Sequence, residues 1–252
     1  MFMKTVGIIP ARYQSSRFPG KPLVDIAGKP MIRHVYERCS RAGCLDAVYV
    51  ATDDARIEAT VRQFGGLSIL TRDDHASGTD RLEEAGRLLS LRDQDVVVNI
   101  QGDEPLAHPD MIESLVRALA EDPSCPMATL ASSSVDEAQY RDANVVKVVV
   151  DRSGRALYFS RSPLPFRRDP AAAPLAFLKH LGFYAYRFGF LKTFARLQPG
   201  VLEEMEKLEQ LRALEHGYPI RVGLTPHETL GVDTPEDIPE VARRLVLEDR
   251  MV

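Results

Sequence analysis

Basic residues crowd into one short loop near the start of the sequence. Arg12, Arg17 and Lys21 follow an apolar run that ends at Pro10 and predicts a buried strand. Guanidinium groups form paired hydrogen bonds to phosphate oxygens, and an ammonium group neutralises one of them. In an open α/β sheet, the first strand-to-helix loop is the usual phosphate site. The loop therefore predicts an anion site, with an ordinary solvated loop as the alternative. It contains neither a Walker A motif nor G-x-G-x-x-G.

Two carboxylates occupy comparable positions after predicted strands. Asp103 follows the apolar run at residues 96–100, and Asp233 lies where a short strand meets the helix that begins at Pro235. Mg²⁺ takes one or two carboxylates at such places, and substrate phosphates supply further ligands. The alternatives are a plain turn at Asp103 and a helix cap at Asp233. Because parallel strands end on one edge of a sheet, the two carboxylates can meet there.

The second half of the chain offers weaker candidates. Arg161 ends a predicted hairpin, and His180 opens a later strand. A lone histidine is more often structural than catalytic. Glu209 and Gln210 lie off the apolar stripe of their predicted helix, where a solvated polar face is the alternative. The other five histidines show no familiar metal-ligand spacing, so zinc is not expected. A G-x-S-x-G elbow for acyl transfer does not occur in the sequence.

The elements that must position these residues alternate between strand and helix over the first half. This alternation predicts an α/β fold whose mostly parallel sheet carries helices on both faces. A hairpin around residues 151–154 predicts a smaller lobe, at about residues 145–200, inserted into a single domain of residues 1–252. The predicted strands include residues 47–52, 67–70, 96–100, 127–131, 180–186 and 220–224. The predicted helices include residues 31–42, 79–89 with Thr79 as cap, 110–121, 202–217 and 235–248.

Composition limits the class of protein. The 252 residues are 44% hydrophobic and 27% charged, which is typical of a globular domain with a real core. A net charge of −4 argues against a general nucleic-acid binder. Three cysteines without a C-x-x-C motif predict free thiols in a reducing compartment. The first apolar run is too short for a signal peptide, and no segment approaches a membrane span, so we expect a cytoplasmic protein.

Seven motifs occur in order along the chain and together carry a family resemblance. They are I-I-P-A-R-Y-x-S-x-R-x-P-G-K-P-L, T-R-x-D-H-x-S-G-T, N-x-Q-G-D-E-P, A-L-Y-F-S-R, H-L-G-x-Y, L-E-Q-L-R and G-V-D-T-P-E-D. Over nearly its whole length the chain resembles the 3-deoxy-manno-octulosonate cytidylyltransferases (CMP-Kdo synthetases). The resemblance implies a Rossmann-like nucleotidyltransferase fold, Mg²⁺ dependence and a homodimer. It also implies that CTP and Kdo are joined into CMP-Kdo and pyrophosphate for lipopolysaccharide assembly.

The resemblance also implies roles for individual residues. Arg12, Arg17 and Lys21 would hold the triphosphate, and Asp103 and Asp233 would bind Mg²⁺. Arg12, Lys21 and the two aspartates would be the catalytic groups. The cytidine would be surrounded by Ser77, Gly78, Thr79 and Gln101. The sugar acid would face Gln101, Arg161, His180, Tyr184, Glu209 and Gln210. One departure is the loop at residues 162–168, where relatives often carry a tryptophan and this sequence has none.

The implied reaction agrees with these residue types. A sugar hydroxyl attacks the α-phosphorus of CTP while pyrophosphate departs in line, so positioning and charge stabilisation supply most of the catalysis. The nearer alternative is a cytidylyltransferase acting on 8-amino-Kdo or another sugar acid, or a transferase of sialic acid or a hexose phosphate. The farther alternative is a non-catalytic nucleotide-binding module of the same fold class.

Overall fold

A computed structural model describes residues 3–14, 18–75, 77–169, 171 and 175–249; Arg17 lies outside this set. The strands are β1 Thr5–Ala11, β2 Asp25–Ile26, β3 Lys29–Pro30, β4 Ala47–Thr52, β5 Leu67–Leu70, β6 Val96–Asn99, β7 Met127–Ser134, β8 Lys147–Val150, β9 Ala156–Ser160, β10 Phe177–Arg187 and β11 Ile220–Leu224. The α-helices are α1 Met31–Cys39, α2 Ala55–Gln63, α3 Gly78–Leu88, α4 Pro109–Glu121, α5 Glu137–Arg141, α6 Phe188–Phe194, α7 Val201–Glu206, α8 Leu211–Glu215 and α9 Ile238–Asp249. Short 3₁₀ turns occupy Lys21–Leu23 and Pro235–Asp237.

The central sheet has the strand order β11-β7-β10-β6-β1-β4-β5. Strand β1 is parallel to β4 and β6, β4 is parallel to β5, and β11 is parallel to β7. Strand β10 is antiparallel to both of its neighbours in this path, β6 and β7. Six of these seven strands therefore point the same way. The predicted α/β fold with a mostly parallel sheet is confirmed, and the carboxyl ends of the six strands share one edge.

The predicted hairpin forms from β8 and β9, and it branches off the main sheet. Its first strand pairs with β10, where Leu178 lies opposite Val148. One edge of β10 pairs with β7 over most of its length. The other edge pairs with β8 near the start of β10 and with β6 near its end. The hairpin is thus continuous with the sheet. The division into one domain with an inserted lobe at residues 145–200 stays a prediction.

Alternation along β1 distributes its side chains between two hydrophobic layers. Ile9 and Ala11 pack into a layer with α1, α2 and α4, whereas Val6 and Ile8 pack into a layer with α3, α6 and α8. Ile8 and Ile9 are both fully buried, and truncating such a side chain to alanine costs about 2–5 kcal/mol. Packing on both faces holds β1 in position, and this positions the loop that follows it.

Three sequence-based predictions of local structure are corrected. The helix predicted over residues 202–217 is broken into α7 and α8, because Lys207 adopts a left-handed conformation with φ of 53°. Helix α3 is capped by Ser77 instead of Thr79: the Ser77 hydroxyl accepts from the Asp80 amide, and the Asp80 carboxylate accepts from the Ser77 amide. The final helix is preceded by the 3₁₀ turn Pro235–Asp237. Helix α5 was not predicted. None of the described helices is long and apolar enough to cross a membrane.

Candidate active site

Lys21 joins the ends of two chain segments at the carboxyl edge of the sheet. Its Nζ donates to Asp103 Oδ2 at 2.7 Å and to the Val232 carbonyl oxygen at 2.8 Å. The Val232 amide in turn donates to the Asp103 carbonyl oxygen at 2.9 Å. Gly20, with φ of 73°, supplies the left-handed residue that starts the 3₁₀ turn carrying Lys21. The Lys21 side chain is only 16% exposed, whereas the Asp103 side chain is 36% exposed, so the ion pair is open to water on its carboxylate side.

Asp233 lies at the same corner, one residue after the Val232 amide that bonds to Asp103. The short strand predicted before Asp233 is not formed: residues 225–234 are irregular, and the Val232 hydrogen bond brings Asp233 here instead of a strand end. Its own amide donates to Asp237 Oδ2 at 2.9 Å, and the following Thr234 shares that carboxylate. The turn is therefore fixed by local hydrogen bonds, while the Asp233 side chain belongs to an exposed residue. The structure brings the segments of the two predicted metal ligands together. Their metal role stays a prediction.

Glu104 is a third carboxylate at this corner, and sequence analysis assigned it only to a turn. Burial, with the neighbouring Asp103 carboxylate as the second cause, raises the pKa of Glu104 to about 7; Asp233 contributes in the same direction. Its Oε2 is buried and has no hydrogen-bond partner among the described residues. Three carboxylates against one lysine leave this corner with surplus negative charge. The adjacent Asp-Glu pair was the only signal available in the sequence.

Arg12 braces the loop before α3. Its Nη2 donates to the carbonyl oxygens of His75, at 2.8 Å, and Ser77, at 3.0 Å. The predicted nucleotide residues Ser77, Gly78 and Thr79 form the capped first turn of α3. Beneath them Arg81, which is fully buried and was not singled out from the sequence, reaches Thr71 and Asp53. Arg12 thus holds the loop before α3 at His75 and Ser77, and Arg81 ties α3 to Thr71, where that loop begins.

A cleft of about 400 Å³ opens between these parts. Four of the predicted site residues line it together: Arg12, Lys21, Gln101 and Asp103. At its floor a Cβ on Gly102 would lie 3.0 Å from the Pro10 carbonyl oxygen, so glycine allows the two loops to approach closely. The cleft is lined by two basic side chains, Arg12 and Lys21, and by the Asp103 carboxylate that is paired with Lys21, a set that suits a phosphate with a bound cation.

His180 and Tyr184 flank a bulge in β10, between Leu181 and Tyr184. The Thr129 hydroxyl donates to the Phe183 carbonyl oxygen at 2.8 Å, and its oxygen lies 2.9 Å from His180 Nε2. With its hydrogen used, the hydroxyl accepts from an Nε2–H of a neutral imidazole. Burial lowers the pKa of His180 to about 3, which keeps it neutral, and burial raises the pKa of Tyr184.

Gln101 connects the cleft to this bulge, since its Nε2 donates to the Gly182 carbonyl oxygen at 2.8 Å. Gln101 is therefore in contact with both the predicted nucleotide side and the predicted sugar side. Its place at the end of β6, in line with the cleft, follows from the strand that the sequence predicted.

At the break between α7 and α8, Gln210 lies inward, whereas Glu209 is half-buried, with its Oε1 3.6 Å from Arg212 Nη2 in an ion pair. Thr79 Oγ1 donates to Glu209 Oε2 at 2.7 Å, which ties this break to the first turn of α3. Burial raises the pKa of Glu209. Gln210 is only 4% exposed. Among the described residues, Glu209 Oε1 and Gln210 Nε2 have no hydrogen-bond partner. The solvated-face alternative is wrong for Gln210, and both side chains offer atoms for a polar ligand.

Arg161 is engaged with the backbone instead. Its Nε donates to the Glu206 carbonyl oxygen at 2.7 Å, and its Nη1 donates to the Ala143 carbonyl oxygen at 3.0 Å. The fully buried Lys147 donates to the Arg161 carbonyl oxygen at 2.6 Å and to two further carbonyls. These bonds fix the end of β9 against α7. The predicted contacts of Arg161 with a sugar, and of Arg17 with a phosphate, stay predictions.

Comparison with known proteins shows which family this chain belongs to. The sequence model described as cytidylyltransferase matches residues 6–225. A 3-deoxy-manno-octulosonate cytidylyltransferase from Syntrophobacter fumaroxidans is 70% identical over 239 residues, covering 95% of this chain and 96% of that protein. An 8-amino-3,8-dideoxy-manno-octulosonate cytidylyltransferase from a Shewanella species is 53% identical, covering 96% and 99%. The solved structure of a CMP:2-keto-3-deoxy-manno-octonic acid synthetase complexed with CTP has a TM-score of 0.91 at 46% identity, covering 97% of this chain and 99% of that one.

Proposed function

The chain belongs to the cytidylyltransferase family, and on that premise we propose that it transfers CMP from CTP to 3-deoxy-manno-octulosonate (Kdo). Pyrophosphate is the second product, and CMP-Kdo serves lipopolysaccharide biosynthesis. The observation that carries the proposal is the corner where Lys21 bonds to both Asp103 and Val232 beside the Arg12 cleft. A triphosphate with a bound cation fits such a corner because it places cationic donors and a carboxylate side by side.

Kdo is favoured over 8-amino-Kdo by the identities of the two relatives, 70% against 53%. The 8-amino acid is kept as the second candidate because 53% identity over almost the whole chain is still high. Both acceptors offer the same carboxylate and anomeric hydroxyl, so the nucleotide half of the site treats them alike. Discrimination belongs to the groups around His180, Tyr184, Glu209 and Gln210.

Mg²⁺ fits the donor set at the Lys21 corner. Asp103 and Asp233 provide hard oxygen ligands, and the buried Oε2 of Glu104 beside them has no hydrogen-bond partner among the described residues. We propose that Asp103 and Asp233 hold the ion. When bound, Mg²⁺ supplies the positive charge that polarises the α-phosphate and lowers the pKa of the attacking hydroxyl.

The chain's own side chains account for the remaining steps. Lys21, held 2.7 Å from Asp103, places its ammonium where charge grows on the departing pyrophosphate. Arg12 holds the loop before α3 through two backbone carbonyl oxygens, so that the base and the triphosphate of CTP bind in one orientation. Neutral His180, whose Nε2–H is donated to Thr129, offers Nδ1 as an acceptor for a sugar hydroxyl, and the half-buried Glu209 carboxyl offers a second acceptor. No covalent intermediate on the protein is required.

The proposal also includes a homodimer and a cytoplasmic location. The family resemblance supports the first. Free cysteines, two of them buried, and a nucleotide substrate support the second. Gel filtration with light scattering tests the dimer directly, since one protomer has a mass of 28.1 kDa.

A pyrophosphate-release assay tests the activity. The protein is supplied with Mg²⁺, each of the four nucleoside triphosphates and a panel of acceptors: Kdo, 8-amino-Kdo, sialic acid and a hexose phosphate. We expect turnover with CTP far above that with ATP or GTP, UTP being the best substitute, and with Kdo above the other acceptors. Higher turnover with 8-amino-Kdo would select the second candidate. Equal turnover of all four nucleotides, or no release with any acceptor, would contradict the proposal.

A further inference from the structure

Two segments that carry the proposed metal aspartates run side by side away from the cleft. At the cleft end, the Val232 amide donates to the Asp103 carbonyl oxygen. At the far end, the imidazole rings of His108 and His227 stack with their centroids 3.9 Å apart and their planes at 9°. Asp110 lies beside both rings: its Oδ2 is 3.3 Å from His227 Nε2 and 3.6 Å from His108 Nδ1.

The three side chains present the donor set of a transition-metal site. Their ligand atoms all lie within 4.8 Å of one another. Bonds of about 2.0–2.1 Å to a tetrahedral zinc ion place neighbouring ligand atoms about 3.3 Å apart, close to the two nitrogen–oxygen distances observed. Those distances exceed the length of a good hydrogen bond. Two imidazoles and a carboxylate suit Zn²⁺, Co²⁺ or Ni²⁺. We propose that His108, Asp110 and His227 bind one divalent transition-metal ion, with Zn²⁺ as the probe.

Binding requires one ring to turn, because two parallel imidazoles cannot both point a lone pair at one ion. His108 is the N-cap of α4, and its Nδ1 accepts from the Asp110 amide at 3.2 Å. His227 lies in the irregular segment between β11 and the 3₁₀ turn Pro235–Asp237; its amide donates to Thr225 Oγ1 at 3.2 Å, and its ring contacts Asp110 and His108, the other two members of the cluster. His227 is therefore the ligand that moves. Coordination through His108 Nδ1 would replace the long cap bond.

A metal ion bound at this cluster would stabilise the folded protein by joining the two segments. The segments are already clamped at Asp103 and Val232, and a bound ion would clamp them again at the opposite end. A ligand that binds only the folded state raises its stability in proportion to the logarithm of its concentration. At a hundredfold excess of free Zn²⁺ over its dissociation constant, the melting temperature should rise by about 5 °C or more. Spacing along the sequence hid the site, since Asp110 and His227 are 117 residues apart.

The test is calorimetric titration of the untagged protein with ZnCl₂ in saturating Mg²⁺, which occupies the proposed Asp103–Asp233 site. We expect one equivalent of zinc, and a loss of affinity of about 30-fold or more in His227→Gln and in Asp110→Asn. His216→Gln is the matched control, because His216 is an exposed histidine whose ring contacts the Gln198 carbonyl oxygen, and it should bind as the wild type does. Without zinc, His227→Gln should keep the wild-type melting temperature and turnover.

The thermal readout separates a site from incidental binding. Zinc should raise the melting temperature of the wild type and of His216→Gln, but not that of His227→Gln or Asp110→Asn. Equal zinc affinity in the wild type and both cluster variants would overturn the proposal. An equal loss in His216→Gln would also overturn it, because the zinc would then be held by surface histidines in general. If His227→Gln fails to fold, Asp110→Asn decides, since Asp110 is largely exposed and its change leaves both rings in place.

Discussion

The two halves of the candidate active site are built in different ways. The phosphate half collects charged side chains at the ends of parallel strands: Lys21 and Asp103 form an ion pair there, and the Asp103 side chain is 36% exposed. The sugar half lies around the antiparallel strand β10 and the break after α7. Its groups include the buried Gln210 and neutral His180, and burial shifts the pKa of His180 downward and that of the half-buried Glu209 upward.

The difference indicates separate tasks. Charges at a solvated strand edge can attract and neutralise a triphosphate and a cation at little cost in desolvation. Buried neutral donors and acceptors discriminate among hydroxyls, because a wrong ligand leaves them unpaired. Loss of a group in the phosphate half should therefore reduce turnover. Loss of a group in the sugar half should mainly weaken acceptor binding.

The largest effect is expected from Asp103→Asn. The change keeps the side-chain volume but removes a charge from the proposed cation site, so kcat should fall about 10³-fold and the dependence on Mg²⁺ should weaken. Steady-state pyrophosphate release over a range of Mg²⁺ concentrations measures both. Asp93→Asn is the control, because Asp93 is an exposed carboxylate paired with Lys192 far from the cleft. Wild-type turnover in Asp103→Asn would contradict the claim that charged groups in the phosphate half carry the catalysis.

Lys21→Ala should lower kcat about 10²-fold, as expected for a donor that stabilises charge in the transition state. The control is Lys29→Ala, a lysine whose ion pair with Glu37 is partly exposed. Separate values of kcat and of KM for CTP distinguish the outcomes. An unchanged kcat with a raised KM for CTP would show that Lys21 binds the ground state and the transition state equally.

Glu209→Gln tests whether the sugar half acts mainly in acceptor binding. The amide keeps the shape and the bond from Thr79 Oγ1 but removes the charge, so KM for Kdo should rise about 10-fold while KM for CTP stays near its wild-type value. Glu204→Gln, on the exposed face of α7, is the control. A variant in which only KM for CTP changes would place Glu209 in the phosphate half.

The smallest effect concerns the stability contributed by neutral His180. Its pKa is about 3 in the folded protein and about 6.5 when unfolded, so the unfolded state binds more protons between these values. Stability is therefore lost as the pH falls below 6.5. Between pH 7 and pH 5.5 this loss should be about 1 kcal/mol and should be absent in His180→Gln. Urea unfolding at both pH values, with His216→Gln as control, measures it. Equal losses in His180→Gln and the wild type would contradict the buried neutral state.

Much of the phosphate half could be predicted from the sequence. Strands Ala47–Thr52, Leu67–Leu70 and Ile220–Leu224 have the predicted limits, because apolar runs between turn residues define buried strands well. Once the strands are placed, the positions of Lys21, Gln101 and Asp103 at one edge follow from the parallel topology alone. Asp233 does not follow from this rule: the short strand predicted before it is not formed, because residues 225–234 are irregular, and the hydrogen bond from Val232 to Asp103 brings it to the corner.

The sugar half could not be predicted to the same degree. The apolar stripe over residues 202–217 is helical in its periodicity, and nothing in it indicates that Lys207 takes a left-handed conformation. That one residue turns Gln210 from the predicted outer face into the interior. The bulge in β10 and the carbonyls that bind Arg161 likewise depend on tertiary contacts. Contacts between distant segments leave no periodic signal in the sequence.

A crystal structure with CTP and Mn²⁺ would locate the proposed cation site, because Mn²⁺ replaces Mg²⁺ and is identified by its anomalous scattering. We expect a manganese ion bound by carboxylate oxygens of both Asp103 and Asp233 and by a phosphate oxygen of CTP, at about 2.1–2.3 Å. Lys21 Nζ should lie within hydrogen-bond distance of the β- or γ-phosphate. An ion bound to neither aspartate, or carboxylates too far apart to share it, would refute the metal role of Asp103 and Asp233.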